Sequence, residues 1–79
     1  MYISISGFLP DEEEDDSLQF DLDLDESFNG QIVQLLGHGS LNAMAKGEWL
    51  LTNEQVTEIS KIIGVPLPTN LDLFIGVLA

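Results

Sequence analysis

The sequence predicts an α+β fold, in which a small antiparallel sheet of three or four strands is covered on one face by one principal helix. Residues 18–25 alternate apolar and polar side chains without a break, which is typical of a strand with one buried face. Residues 53–63 place apolar side chains at helical spacing between a capping signal and a glycine. Residues 71–78 are mostly apolar, which favours a buried strand near the centre of the sheet.

The first two strands are expected to form an antiparallel hairpin. In residues 2–9, isoleucine alternates with serine until Pro10 ends the run. Residues 11–16 are consecutive acids, whose mutual repulsion predicts a solvated loop at the tip of the hairpin. The second strand would then carry Leu18, Phe20, Leu22 and Leu24 on one face and Gln19, Asp21, Asp23 and Asp25 on the other.

The middle of the chain is less regular. Asn29 and Gly30 form a dipeptide that is typical of a turn. Residues 31–36 are predicted to form a third strand, although the length of the run also permits a short helix. Ser40 is expected to cap a short helical segment that continues to Lys46 and ends at Gly47.

The principal helix has signals at both of its ends. Residues 48–51 form a short link or strand that leads into it, and Thr52 with Gln55 fits a capping box. Gly64 follows the last helical residue, where a left-handed conformation commonly ends a helix. The apolar stripe consists of Val56, Ile59, Ile62 and Ile63. Trp49, the sole tryptophan, is expected to pack in the core, and the alternative is that it anchors an interface.

Length and charge limit the classes of function. The 79 residues are enough for one domain, and 44% of them are hydrophobic, which argues against a wholly disordered acidic chain. Fourteen acids face two lysines and no arginine, so the net charge is -12. This charge excludes direct binding to nucleic acid and disfavours anionic membranes. We expect a cytoplasmic protein, because the chain has no cysteine, no signal-peptide pattern and no long apolar segment.

The acids are concentrated in one part of the chain, with ten of the fourteen between positions 11 and 26. Alternate aspartates on one strand would project from the same face at intervals of about 6 to 7 Å. Such a surface attracts a basic protein, although a charge run also serves solubility alone. The candidate partner-binding residues are Asp11, Glu12, Glu13, Glu14, Asp15, Asp16, Asp21, Asp23, Asp25 and Glu26.

Patterns that would carry chemistry are weak in this sequence. Residues 21–25 resemble the start of an EF-hand calcium loop, but Glu26 stands where glycine is needed and Ile32 where the bidentate glutamate is needed. His38 is the only histidine, and the glycines beside it are more simply explained by a turn than by an oxyanion loop. We therefore expect no enzyme activity, no dedicated metal site and no cofactor.

These observations favour a small acidic binding or inhibitory module, whose partner is a basic protein such as a nuclease, a nucleic-acid-binding enzyme or a toxin. Nucleic-acid mimics, bacteriocin immunity proteins and phage-encoded antagonists share its small size and acidity, but no motif connects the chain to any of them. One alternative is an accessory subunit or a homodimer that assembles through apolar strand edges. Another is a module that responds weakly to divalent cations.

Overall fold

The computed structural model describes residues 1–10 and 17–79 of the chain. Four strands, three α-helices and one 3₁₀ turn follow each other along these residues. Their bounds are β1 Tyr2–Phe8, β2 Phe20–Asp23, a 3₁₀ turn at Glu26–Phe28, α1 Asn29–Leu35, α2 Leu41–Met44, β3 Trp49–Leu50, α3 Asn53–Ile63 and β4 Asp72–Leu78. The expected acidic loop at residues 11–16 lies outside the described residues.

The strands form one antiparallel sheet in the order β2-β1-β4-β3. β1 and β4 are its two long central strands, and they pair along their whole length from Tyr2 opposite Leu78 to Phe8 opposite Asp72. The predicted α+β class is therefore confirmed, and so is the central position of the apolar C-terminal strand. β2 and β3 are the short edge strands.

The core lies between the sheet and the helices. Period-2 alternation directs every second side chain of β1 and β4 towards this side of the sheet. Burial of these apolar side chains is the main contribution to stability, at roughly 1.5 to 3 kcal/mol for each one fully removed from water. The sheet supplies Ile3, Ile5, Leu73 and Ile75, and the helices supply Ile32, Met44, Val56 and Ile59.

The principal helix α3 begins and ends where its capping residues predict. The Thr52 side chain accepts a hydrogen bond from the Gln55 backbone at 3.1 Å, and the Gln55 side chain accepts one from the Thr52 backbone at 2.9 Å. This reciprocal capping box satisfies two backbone donors at the start of the helix. Gly64 then ends the helix in the left-handed conformation, with φ of 72°.

One expectation for the middle of the chain is wrong, because Asn29 and Gly30 open helix α1 instead of forming a turn. For residues 31–36 the expected third strand is absent, and the alternative of a short helix is the one that the structure has. The apolar side chains are the reason, because Ile32, Val33 and Leu36 lie on one helical stripe and reach the core together. α2 starts at its Ser40 cap as expected but ends at Met44, before the predicted limit at residue 46.

The second strand is shorter than its alternation predicts. β2 begins at Phe20, and Leu18 is 53% exposed instead of packing with the core. Asp25 lies beyond the end of β2, because its side chain caps the 3₁₀ turn by accepting a hydrogen bond from the Ser27 backbone at 3.0 Å. Only Asp21 and Asp23 therefore project from the strand itself.

The expectation that Trp49 packs in the core is also wrong, since 40% of its surface is exposed. Trp49 belongs to the edge strand β3, where neighbours cover it from one side only. Its indole Nε1–H donates a hydrogen bond to the Met44 carbonyl at 2.9 Å, and its ring lies 4.9 Å from the ring of His38. These contacts hold the indole at the border between core and solvent.

In the part of the chain that the structure describes, no helix combines the length and the apolar character that are needed to cross a membrane.

Candidate functional site on the open face of the sheet

One face of the sheet carries no share of the core. Strand register and period-2 alternation assign each strand residue to one side, and Ile3 and Ile5 mark the side that the helices cover. The buried side chains of the described helices belong to the core on that side, so we call the opposite side the open face. The open face consists of Tyr2, Ser4, Ser6, Phe8, Asp21, Asp23, Leu50, Asp72, Phe74, Gly76 and Leu78.

Carboxylates stand at both margins of the open face, over which the Glu48 side chain also extends, and Asp72 lies at the end of the central strand β4. Asp21 and Asp23 are exposed on the edge strand β2, beside Ser6 and Ser4 respectively. Glu48 precedes the other edge strand and lies above Gly76, since a Cβ atom placed on that glycine would be 3.3 Å from Glu48 Cγ. Three strand spacings, or about 14 Å, separate the two edge strands, and the Glu48 carboxylate reaches back over β4, about 10 Å from β2. An intruding group therefore meets negative charge on both sides.

Small residues form a groove between these margins. Its floor contains Ser4, Ser6 and Gly76, and the groove has a volume of about 250 Å³. Lys46 and Glu48 also line the groove, so one cation and one acid contribute to its charge. Serine hydroxyls on the floor can both donate and accept hydrogen bonds. The groove therefore combines a polar floor with space for a side chain of a partner.

Apolar side chains occupy the rest of the open face. Phe8 and Phe74 meet edge to face, with ring centroids 5.9 Å apart, and neither belongs to the core cluster. Leu50 is 59% exposed and Leu78 is 47% exposed. Aromatic and aliphatic groups beside charged groups are typical of protein-binding surfaces, where the apolar part excludes water from the contact.

Two further acids extend the negative charge beyond the end of β2. Asp25 and Glu26 line a surface depression together with Asp23 and Tyr2. The hydrogen bonds of Asp25 with the side chain and then the backbone of Ser27 lower the pKa of its carboxyl group below the ordinary value. Asp25 therefore stays ionised under more acidic conditions than an isolated aspartate, which preserves the charge of this depression.

The structure brings together four of the predicted partner-binding residues, Asp21, Asp23, Asp25 and Glu26, at one end and one margin of the sheet. The six acids at positions 11–16 fall outside the described residues.

Two acids of the open face were missed in the sequence, namely Glu48 and Asp72. The signal for Asp72 was present, because Asp72, Phe74 and Gly76 alternate with the more apolar Leu73 and Ile75. This alternation indicates a strand with one open face, whereas the run was interpreted as buried throughout. The signal for Glu48 was its position just before a strand, but the register that places it over Gly76 is a property of the folded sheet.

Within residues 1–10 and 17–79, no three side chains of His, Cys, Asp or Glu are grouped closely enough to hold a metal ion. His38 packs against Trp49 on the side of the core and not on the open face. Lys61 forms an ion pair with Glu58 of its own helix, with 3.6 Å between Nζ and Oε1, so this cation does not offset the charge of the open face.

In comparisons with known proteins, no family model, no curated protein and no solved structure matches this chain. Its function is therefore proposed from the chemistry of the open face.

Proposed function

We propose that the protein is a binding module that presents the open face of its sheet to a basic protein, such as a nuclease, a nucleic-acid-binding enzyme or a toxin. The observation that carries the proposal is the position of carboxylates at both margins of a face that also exposes apolar groups. If the open face covers the groups with which the partner binds phosphate, the partner would be inhibited.

Electrostatics supports this choice of partner. A net charge of -12 on a chain of 79 residues gives a strong negative field, which steers basic surfaces into encounter and repels nucleic acid and anionic lipid. Charge alone also serves solubility, and it costs stability through self-repulsion. The exposed apolar groups Leu50 and Leu78 favour binding over solubility, because exposure of such groups works against solubility.

The test is capture of partners by variants that carry the same net charge. Asp21→Asn/Asp23→Asn removes two carboxylates from the open face, whereas Glu54→Gln/Glu58→Gln removes two from helix α3. We expect basic proteins to bind the immobilised wild type and the α3 variant at about 50 mM salt. At this salt concentration, the open-face variant should capture severalfold less of these proteins. At about 500 mM salt, where screening is strong, capture by the wild type and by both variants should fall.

The comparison separates a site from overall charge. Equal losses in both variants would mean that the total charge attracts the partner and that the open face has no special role. Unchanged capture in the open-face variant would overturn the proposal. Partners that are retained must then be identified and shown to be basic, because an acidic partner would contradict the electrostatic reasoning.

A second candidate function is self-association through an apolar strand edge. Trp49 and Leu50 are both exposed on the edge strand β3, which favours this edge over β4, since β4 lies inside the sheet. Sedimentation of the wild type and of Leu50→Lys distinguishes the two candidates. A dimer that Leu50→Lys dissociates would support an accessory or homodimeric role, whereas a wild-type monomer would remove it.

A further inference from the structure

The outer edge of β2 has the geometry of a site for an added strand. Leu24 donates its backbone N–H to the Ile3 carbonyl at 2.8 Å, so the backbone polar groups of Leu24 point towards β1. In an antiparallel ladder, the backbone groups of successive residues point alternately towards and away from the neighbouring strand. Those of Leu22 therefore also point towards β1, and those of Asp21 and Asp23 point away from it. No other strand among the described residues pairs with this side of β2.

The side chains of β2 give this edge a chemical preference. Asp21 and Asp23 are exposed on the open face, while Phe20 and Leu22 are half-buried on the face of the core. A strand added beside β2 would place alternate side chains next to the two aspartates and the intervening ones next to Leu22. The matching sequence is therefore an extended segment in which basic and apolar residues alternate.

We propose that β2 binds such an alternating basic and apolar segment of the partner by strand addition, an inference that rests on the proposed function of the open face. The main chain of the segment exchanges hydrogen bonds with the outward backbone groups of Asp21 and Asp23. Its lysine or arginine side chains lie beside the two carboxylates, and its apolar side chains continue the edge of the core beside Phe20 and Leu22.

Charge decides between a basic partner and a second copy of the chain. If β2 paired antiparallel with its own copy around Leu22, each Asp21 would stand directly opposite an Asp23, and like charges in that position destabilise the pair. Acids on an edge strand commonly prevent self-pairing for this reason. The same acids attract a cationic strand, so the edge of β2 disfavours a second copy of the chain and favours a basic segment of a partner.

A peptide of nine residues that alternates lysine and valine is the probe. Paired antiparallel with β2 and with its lysines beside the aspartates, the peptide would point its lysine amides towards the aspartate backbone and its valine amides away from it. Fluorescence anisotropy at low salt compares the parent peptide with two analogues, one methylated at two lysine amides and one at two valine amides. We expect the first analogue to bind roughly tenfold more weakly or worse, because it loses two main-chain hydrogen bonds, and the second to bind like the parent.

A pair of protein variants tests the same contact from the other side. Asp23→Asn and Asp23→Pro both remove the carboxylate, but only the proline also removes the outward N–H, which β1 does not use. The thermal melting curve of each variant shows whether the fold is kept. We expect Asp23→Pro to bind the peptide several-fold more weakly than Asp23→Asn, and equal affinities would overturn strand addition.

The outcomes also separate this inference from the proposed function. If methylation of the lysine amides has no effect while Asp21→Asn/Asp23→Asn still weakens binding, the open face binds cations and strand addition is wrong. Failure of the parent peptide to bind would refute strand addition too, since the acids would then only protect the edge. If neither peptide binding nor capture of basic proteins depends on Asp21 and Asp23, both the inference and the proposed function fail.

Discussion

Gly7→Ala should destabilise the fold, because the neighbours of β1 leave no room for a side chain at Gly7. A Cβ atom at this position would point towards the core and lie 2.9 Å from Phe20 Cβ, 2.9 Å from Leu73 Cδ2 and 3.1 Å from Leu71 Cδ1. Carbon atoms that are not bonded prefer about 3.5 to 4.0 Å. The leucine methyl groups can rotate away, but Phe20 Cβ can move only with the backbone of β2.

The size of the effect follows from opposing contributions. Burial of one methyl group stabilises by about 0.8 kcal/mol, and the lower entropy of the unfolded chain adds roughly 0.4 to 1 kcal/mol. Overpacking of a tight core costs about 1 to 3 kcal/mol in mutant proteins, with backbone shifts at the upper end. Since β2 must shift here, we expect a net loss of about 1 to 2 kcal/mol. For a chain of this size, that corresponds to a fall of roughly 4 to 16 °C in Tm.

Thermal melting and urea denaturation measure this loss, and Gly30→Ala is the matched control. Gly30 lies in helix α1 with no heavy atom within 4 Å of its would-be Cβ, so the same substitution there should stabilise by about 0.5 to 1 kcal/mol. The urea midpoint should change without a change in m, because both variants keep the fold. A Gly7→Ala protein at least as stable as the wild type would refute the close approach of β1 and β2.

Three further predictions concern the caps and the indole. Thr52→Ala removes the capping box of α3 and should cost about 1 kcal/mol in the urea-derived free energy of unfolding; an unchanged midpoint would contradict the observed cap. The lowered pKa of Asp25 means that its hydrogen bonds with Ser27 stabilise the fold above about pH 4, and this stabilisation is lost as pH falls through the lowered pKa. In Asp25→Asn, the free energy of unfolding should therefore depend less on pH in the acidic range. Trp49→Phe keeps an aromatic ring but loses the bond to the Met44 carbonyl, and calorimetry should show a loss of about 0.5 to 1.5 kcal/mol.

The elements with independent local signals could be predicted from the sequence. Helix α3 carries a capping box at its start, an apolar stripe along its length and Gly64 at its end, and the three signals agree on one helix. The strand β1 was similarly predicted by alternation and by Pro10 beyond its end. For these elements local preference and the final fold agree, so no tertiary information was needed.

Helix α1 could not be predicted with the same certainty, because its signals conflict. Asn29 and Gly30 favour a turn, and the apolar run that follows is short enough for either a strand or a helix. The deciding factor is tertiary, since only a helix buries Ile32 while Val33 and Leu36 also reach the core. Trp49 was misassigned for a related reason, because its burial depends on how many neighbours β3 has in the sheet.

The candidate site was predictable only in part. Alternation in residues 18–25 separates Asp21 and Asp23 from the apolar side chains, and the register places both aspartates away from the helices. Glu48 is 25 positions further along the chain than Asp23, and the two stand on the same face of the sheet only because β1 and β4 lie between the two edge strands. A surface that is assembled from distant segments needs the strand order, which no single stretch of sequence contains.

The layering of the fold explains why this face is available for a partner. Residues 1–10 and 17–79 supply one sheet and one layer of helices, so no described element covers the second face of the sheet. A face that only had to be solvated would not need Phe74 at its centre and Leu50 and Leu78 at its borders. Under the proposed function, carboxylates at the margins would repel the same face of a second acidic copy and attract a basic surface, while the apolar groups would give that surface a contact which salt does not screen. The combination of acids and apolar groups on one face therefore favours a basic protein partner more strongly than the net charge does by itself.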